Sequence, residues 1–499
     1  MTETIVIRGG RLVDARTRRF DHADLLIQGD TVAEVGPPGL VAPAHARVVD
    51  AADRLMMPGL INGHTHSHAN LPRSVGDRWT LELALNTNPA FRSNMAPDEQ
   101  YLAAQIGAAE MIAKGCTACY DLLYEFPIPS VDGLNAVAQA YSDIGMRAVV
   151  APLMASRSFY EAVPGLLDAL PADVQARYRD QPGHAAHDRS LDVVRQALHD
   201  WRFDRDVVRL AVAPTIPAHC TDELLAGATA LAREYDVGFH THLAESKVQA
   251  VAGMRRYGRT LTAHLEQLGV LGPNFTAAHG VWLDDDDMRR LADAGASVAH
   301  NPASNMRYGS GMAAVRRMRD AGLNVALGTD SRTCSDNLNM FEALRLASFT
   351  SRVQGPDYKR WLTTDEVLRM GTIEGAKCLG FEGKIGEIAP GFKADIVFLD
   401  RHNPNYIPLN DAVNQIVNAE DATGVKSVMI GGRMVYENGR FPNIDFVVLS
   451  AKAEAAMERL RSVNGEAQRL ALRLEDVVGS ICVGLASSPY HVHRFTGQW

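Results

Sequence analysis

The sequence predicts an α/β protein: a (β/α)8 TIM barrel attached to a small β domain that both chain ends build together. Three observations predict it. From about residue 58 to 385, short apolar runs alternate with longer amphipathic segments, the pattern of repeated βα units around a parallel sheet. Eight such apolar runs can be counted, the number that closes a barrel of roughly 250 residues before insertions. The stretches on either side, 4–50 and 383–440, return to short strands broken by Gly and Asp.

Taken in order, TIVIRGGRLVDA, ADLLIQGDTVAEVG and ARVVDAADRLMMPG read as the first strands of the β domain. The barrel strands are LINGHTH (60–66), CTACYDLL (116–123) after a helical segment at 97–114, RAVVAPL (147–153) and VRLAVAP (208–214). VGFHTHL (237–243), FTAAHGV (275–281), ASVAHN (296–301) and NVALGTD (324–330) complete the set. The largest insertion, near 155–206, lies between strands three and four. It has helical stretches around 160–170 and 190–201, joined by a polar loop with His184 and His187, and it reads as a cap over the barrel's C-terminal rim. GKIGEIAPGFKADIVFLD (383–400) and VKSVMIGGRMVYENGR (425–440) return to the β domain. The periodicity of 450–475 is helical, and such a tail packs on the barrel or on another subunit. The expected domains are 1–57 and 388–445 (β), 58–387 (barrel) and 446–499 (helical tail).

The 499 residues suffice for a sizeable core without disulfides or structural metals. Apolar residues are 46% and charged residues 22%, which excludes a disordered chain. The formal net charge of −9 disfavours phosphate backbones and anionic lipid, so no nucleic-acid partner is expected. Six scattered cysteines do not make a disulfide framework, and the chain reads as reduced and cytoplasmic. Its N-terminus lacks a signal-peptide core, and no run of about 18 apolar residues would span a membrane.

The chemistry gathers at strand ends. His64 and His66 sit at i and i+2, on one face of strand one at its C-terminal end, where barrel enzymes hold their reacting groups. His240 and His242 repeat the pattern on strand five, with Glu245 three residues on. His279 ends strand six and Asp330 ends strand eight. Singly these residues have ordinary readings: a core histidine, a helix-start carboxylate, an N-cap. Together they project from four strands into one barrel mouth. Three imidazoles and a carboxylate suit one divalent ion, Zn²⁺ first, with Fe²⁺ and Mn²⁺ as alternatives. Such an ion lowers the pKa of a bound water to about 7.

PGLINGHTH, HTHLAES, AAHG, HNPASNMRYGSG, LGTDS and IGEIAPGFKADIVFLD resemble the amidohydrolase superfamily. They look most like its mononuclear-metal aminohydrolases, the branch with adenosine-type, guanine and cytosine deaminases and triazine hydrolases. The resemblance spans about residues 5–440 in motif order. It implies a metal-binding barrel with a composite β-sandwich domain, and His64, His66, His242 and Asp330 as metal ligands. It further implies Glu245 as acid, Asp330 as general base and His279 as the group polarising water or substrate. Strands three and four offer no Lys to bridge two ions, which supports a single one. The implied reaction is attack of the activated water on the carbon of a C–N bond in a small nitrogen heterocycle or related amide, with loss of the amine. The alternative keeps the metal and removes chloride, alkylamine or alkylthio from an s-triazine-like substrate. A small-molecule partner and a homodimer or higher homo-oligomer follow from the same resemblance.

The chain also departs from that pattern. Where purine-type deaminases carry a His or Arg after the strand-four Pro, it has Thr215, with His219 further along. Thr215, Trp79, His300 and Asn305 are the candidate substrate contacts. Trp79 either stacks on a flat ring or packs in a lid, and His300 either touches substrate or supports the mouth. His68, Arg78 and Arg307 lie on the same rim, and Arg147 reads as structural. Cys116 and Cys119 read as a buried strand pair. Asp284–Asp287 read as a helix start, and His491 and His493 as part of a frayed end.

Overall fold

The computed structural model describes residues 3–125, 127–180 and 187–497. The barrel strands run Leu60–Thr65, Cys116–Leu123, Arg147–Met154, Val208–Leu210 with Ala213–Pro214, Phe239–Leu243, Phe275–His279, Ser297–His300 and Asn324–Leu327. Each pairs in parallel with the next. Strand four is split, and a single bridge from Val212 to Phe239 joins it to strand five. Closure between strands eight and one depends on close backbone approach. A Cβ on Gly63 would stand 2.9 Å from the Leu327 carbonyl oxygen, and one on Gly328 would stand 2.9 Å from the His64 nitrogen, so both positions need glycine. The Asp330 N–H then donates to the His64 carbonyl at 2.9 Å.

The strands are apolar on both faces, as a sheet covered by helices requires. One face meets the helices through residues such as Cys119, Val150, Phe239 and Leu327. The other carries Ala118, Ala151, Ala211, Ala299 and Ala326, small enough to leave room inside, closed off by Phe381 and Ile385. Cys116 and Cys119 are buried and unbridged within strand two.

Strands from both chain ends form one separate eight-stranded sheet: Thr4–Val13, Phe20–Gln28, Thr31–Gly36, Arg47–Asp50, Arg54–Pro58, Ile396–Asp400, Val425–Ile430 and Arg433–Glu437. Its own core holds Ile5, Ile7, Leu25, Ile27, Ile396 and Phe398. Arg147, at the start of barrel strand three, is fastened to this sheet. Its guanidinium donates to both oxygens of Asp395, at 2.7 and 3.1 Å, with both side chains buried. The rigid planar fork makes this geometry possible.

The insertion is more helical than its sequence suggests. Ala172–Asp180 is a helix where a polar loop is expected, and the helix His187–His199 takes in that loop's last residue. His184 lies outside the described residues. Phe159–Ala162, Leu166–Ala169 and Ala172–Asp180 pack with the tail helix Gly465–Ala486 through Tyr160, Val163, Leu166, Leu474, Val478 and Leu485. The tail helix also lies on Leu81–Thr87, where Asn86 donates to the Ala471 carbonyl at 3.0 Å. Insertion and tail therefore share one apolar core beside the loops that follow strands one and five.

The frayed end expected at His491 and His493 is instead docked. The Arg494 side chain donates to the Val281 carbonyl at 2.9 Å and the Leu283 carbonyl at 2.6 Å, and its own carbonyl accepts from the Met312 N–H at 2.8 Å. Phe495 stands edge-on to the fully buried Trp282, and His491 lies 2.6 Å from Asp284. Asp284 caps the helix Asp285–Asp293 by accepting from the Asp287 N–H at 2.7 Å. Among the described residues, no helix is long and apolar enough to cross a membrane.

Candidate metal centre

Histidines from strands one, five and six meet the strand-eight carboxylate at one end of the barrel. His66 Nε2 and His242 Nε2 are 3.2 Å apart. Asp330 Oδ1 lies 3.3 Å from His66 Nε2 and 3.7 Å from His64 Nε2. All four side chains are buried.

Hydrogen bonds fix which ring nitrogens face inward. The His66 Nδ1–H donates to the Leu122 carbonyl at 2.7 Å and the His242 Nδ1–H to the Thr215 carbonyl at 2.6 Å. Each Nε2 is thereby left as a bare lone pair. Two lone pairs 3.2 Å apart, with a carboxylate beside both, repel unless a cation lies among them. His64 Nε2 is buried with no hydrogen-bond partner, as such a ligand requires. Zn–N bonds of 2.0–2.1 Å in a tetrahedron put ligand atoms about 3.3 Å apart, which matches these spacings. The donor set therefore fits a divalent metal ion, with two groupings compatible with holding it: His64, His66 and His242, or His64, His279 and Asp330.

The strand ends turn sharply to bring these groups together. Ala244, His279 and Asp330 all have left-handed backbones, with φ of 51°, 71° and 58°. Each costs on the order of 1–3 kcal/mol and persists because its neighbours hold it. The Trp282 N–H donates to the Ala244 carbonyl at 2.8 Å, and Asp330 is tied to His64.

The two carboxyls have opposite electrostatics. Burial opposes ionisation of Asp330, but the positive charge this cluster gathers, carried by His66, His64 and His279 when no ion is bound, outweighs it and holds the carboxyl well below its usual range. Asp330 also accepts from Ser304 Oγ at 2.6 Å and from the Ser331 N–H at 2.7 Å. Glu245 is pushed well above its usual range, first by burial and then by the charges of Asp330 and Glu82. Its Oε2 lies 3.6 Å from His279 Nε2, so one carboxyl pushed toward its neutral form and one pushed toward its anion flank one ring. Burial lowers His279, whose Nδ1 bonds Asn305 Oδ1 at 2.9 Å.

The remaining candidates fall in different places. His240 lies beneath the cluster, with Nε2 3.2 Å from His64 Nδ1 and its ring edge-on to Tyr120. The Thr215 carbonyl orients His242, and Asn305 lies against His279. His300 is buried with neither ring nitrogen bonded. Trp79 is half-buried against a small cluster of Leu81, Ala84, Tyr308 and Cys334. Arg307 donates to Asp336 and to the Gly76 carbonyl, so it fastens the loop after strand one. Asp121, inside CYDLL, was not singled out from the sequence. It accepts from the Ser67 N–H at 2.7 Å and Tyr141 at 3.0 Å, pinning the turn that follows His66. A lone acid in an apolar strand was the available signal for it; Ser304 offered none.

Comparison with known proteins gives the same picture. The sequence model described as "Amidohydrolase family" matches residues 55–435. A 5-methylthioadenosine/S-adenosylhomocysteine deaminase of Syntrophobacter fumaroxidans is 31% identical, over 90% of this chain and 95% of its own length. A 5'-deoxyadenosine deaminase of Methanothermobacter thermautotrophicus is 32% identical, over 92% and 99%. The zinc complex of an atrazine chlorohydrolase from Arthrobacter aurescens superimposes with a TM-score of 0.81 at 26% identity, covering 91% of this chain and all of that one. A zinc-bound adenosine deaminase of Xanthomonas campestris shares the fold, with a TM-score of 0.80 at 24% identity, over 92% and 98%. The family match over residues 55–435 and these relatives establish that the chain belongs to the amidohydrolase family and is a hydrolase acting on carbon–nitrogen bonds.

Proposed function

We propose that the chain catalyses hydrolytic deamination of a small nitrogen heterocycle, at one zinc ion held by His64, His66, His242 and Asp330. The observation that carries this reading is the placement of two carboxyls, Glu245 Oε2 at 3.6 Å and Asp330 Oδ2 at 3.9 Å from His279 Nε2, beside the His64, His66 and His242 cluster. A divalent ion in this cluster supplies a water acidic enough to act as nucleophile near neutral pH. The chain's own residues do the rest. Asp330, held as an anion, accepts the proton of the attacking water. Glu245, held as an acid, delivers a proton to the ring nitrogen as the C–N carbon becomes tetrahedral. Asp330 then passes its proton to the departing amine, and as the C–N bond breaks and the carbonyl forms the remaining hydroxyl proton returns to Glu245, giving ammonia and restoring both carboxyls. With its Nδ1–H on Asn305, His279 presents Nε2 as an acceptor that orients the attacking water.

Relatives above 30% identity carry deaminase names, whereas the triazine hydrolases resemble this chain at 26%. Loss of ammonia is therefore favoured over loss of chloride, alkylamine or alkylthio. The reading keeps the domain limits 1–57, 58–387, 388–445 and 446–499, and a reduced intracellular setting supported by six buried free cysteines. Association into a homodimer or larger homo-oligomer belongs to the same proposal. Exposed Phe446, Val447 and Val448 support it, since three neighbouring apolar side chains in water favour burial.

The test is metal analysis of the purified protein, with turnover of aminated and chlorinated heterocycles. About one zinc per chain with ammonia release supports the reading. Chloride release without ammonia, or full activity without metal, overturns it.

A further inference from the structure

Arg92 ends the short helix Pro89–Arg92 on the rim after strand one. The buried guanidinium groups of Arg147 and Arg494 end on the Asp395 carboxylate and on the Val281 and Leu283 carbonyls. Among the described residues, Arg92 has no carboxylate partner. Its Nη2 donates to the neutral Thr333 hydroxyl at 2.5 Å, and its Nε is buried with no partner. Its Nη1 lies 3.2 Å from His68 Nε2.

The tautomer of His68 makes this contact informative. The Tyr124 N–H donates to His68 Nδ1 at 3.0 Å, so Nδ1 carries no proton. The ring is then neutral with its hydrogen on Nε2. Two N–H donors, one cationic, face each other at 3.2 Å. This is the reverse of the metal centre, where facing lone pairs require a cation. Facing donors require an acceptor, and the adjacent guanidinium favours an anionic one. The His68 ring centroid stands 5.3 Å from that of His66, so this place is one ring away from the metal ligands.

We infer that Arg92 and His68 form an anion subsite of the substrate pocket, and that the substrate carries a carboxylate close to the C–N carbon that is hydrolysed. This deepens the proposed deamination and rests on it for the reaction, but not for the binding. A single guanidinium beside a neutral imidazole suits a monoanion. The planar fork matches a carboxylate.

The experiment has a turnover arm and a binding arm. Ammonia release is measured on 4-aminopyrimidine-5-carboxylate and its neutral 5-carboxamide, with the zinc-loaded wild type, Arg92→Gln and Arg92→Lys. Calorimetry measures binding of pyridine-3-carboxylate and 3-methylpyridine to the same proteins. The wild type is expected to prefer the carboxylate in both arms. Arg92→Gln should weaken the carboxylate about 10²-fold and erase the preference, with Arg92→Lys in between. Equal carboxylate binding by wild type and a folded Arg92→Gln, or a wild type that prefers the neutral partner, overturns the inference. If both variants fail to fold, the wild-type preference alone decides. Carboxylate-selective binding without ammonia release keeps the subsite and counts against the deamination reading. Ammonia release with no carboxylate preference does the opposite.

Discussion

His66 Nε2 and His242 Nε2 face each other at 3.2 Å, each with its Nδ1–H already bonded to a backbone carbonyl. Strands one and five thereby build a position that only a positive charge relieves.

Metal binding should therefore stabilise the fold as well as activate it. Chelation is expected to abolish turnover and lower the melting temperature, and added zinc to restore both. A ligand at a thousand times its Kd contributes about 4 kcal/mol. His242→Asn should lose bound metal and this zinc-dependent rise together. Calorimetric melting with metal analysis checks both.

Glu245→Gln should lower kcat about 10²–10⁴-fold with a much smaller change in KM, because the lost proton transfer belongs to the transition state. Burial and the Asp330 charge raise the pKa of Glu245, so the active, protonated form persists to higher pH than in an ordinary carboxyl. Activity should fall as pH rises through that raised value. The alkaline limb of the pH–kcat/KM profile should vanish in the Gln variant, whose residual rate has no acid to lose. A limb that survives unchanged in Glu245→Gln would belong to another group.

Asn305→Ala removes the bond that orients His279. Loss of such an outer partner typically costs about 10–100-fold. The drop is expected in kcat, with zinc content unchanged, since His279 Nδ1 faces away from the ion. Steady-state kinetics beside metal analysis separates this from general unfolding.

Deleting residues 489–499 removes Arg494 and Phe495 from the loop after strand six. Trp282, buried under Phe495, should become wet and its fluorescence shift to the red. Unchanged emission would mean that this end does not dock in solution.

Much of the fold was legible in the sequence because strand periodicity and glycine turns are local. The eight barrel strands fall on the eight apolar runs, four of which end at or beside His64, His242, His279 and Asp330. Helix Ala172–Asp180 was not legible, since its stability comes from packing on the tail helix. The docking of Arg494 is likewise invisible in a polar, aromatic end.

The sequence by itself determined the residue types at the strand ends, and with them a donor set that fits a divalent ion, because a two-residue period puts His64 and His66 on one face. Only the tertiary structure decided which nitrogens face inward, which carboxyl is raised and which lowered, and where Arg92 points. Those follow from distances between strands far apart in the chain, and from the water that their packing excludes.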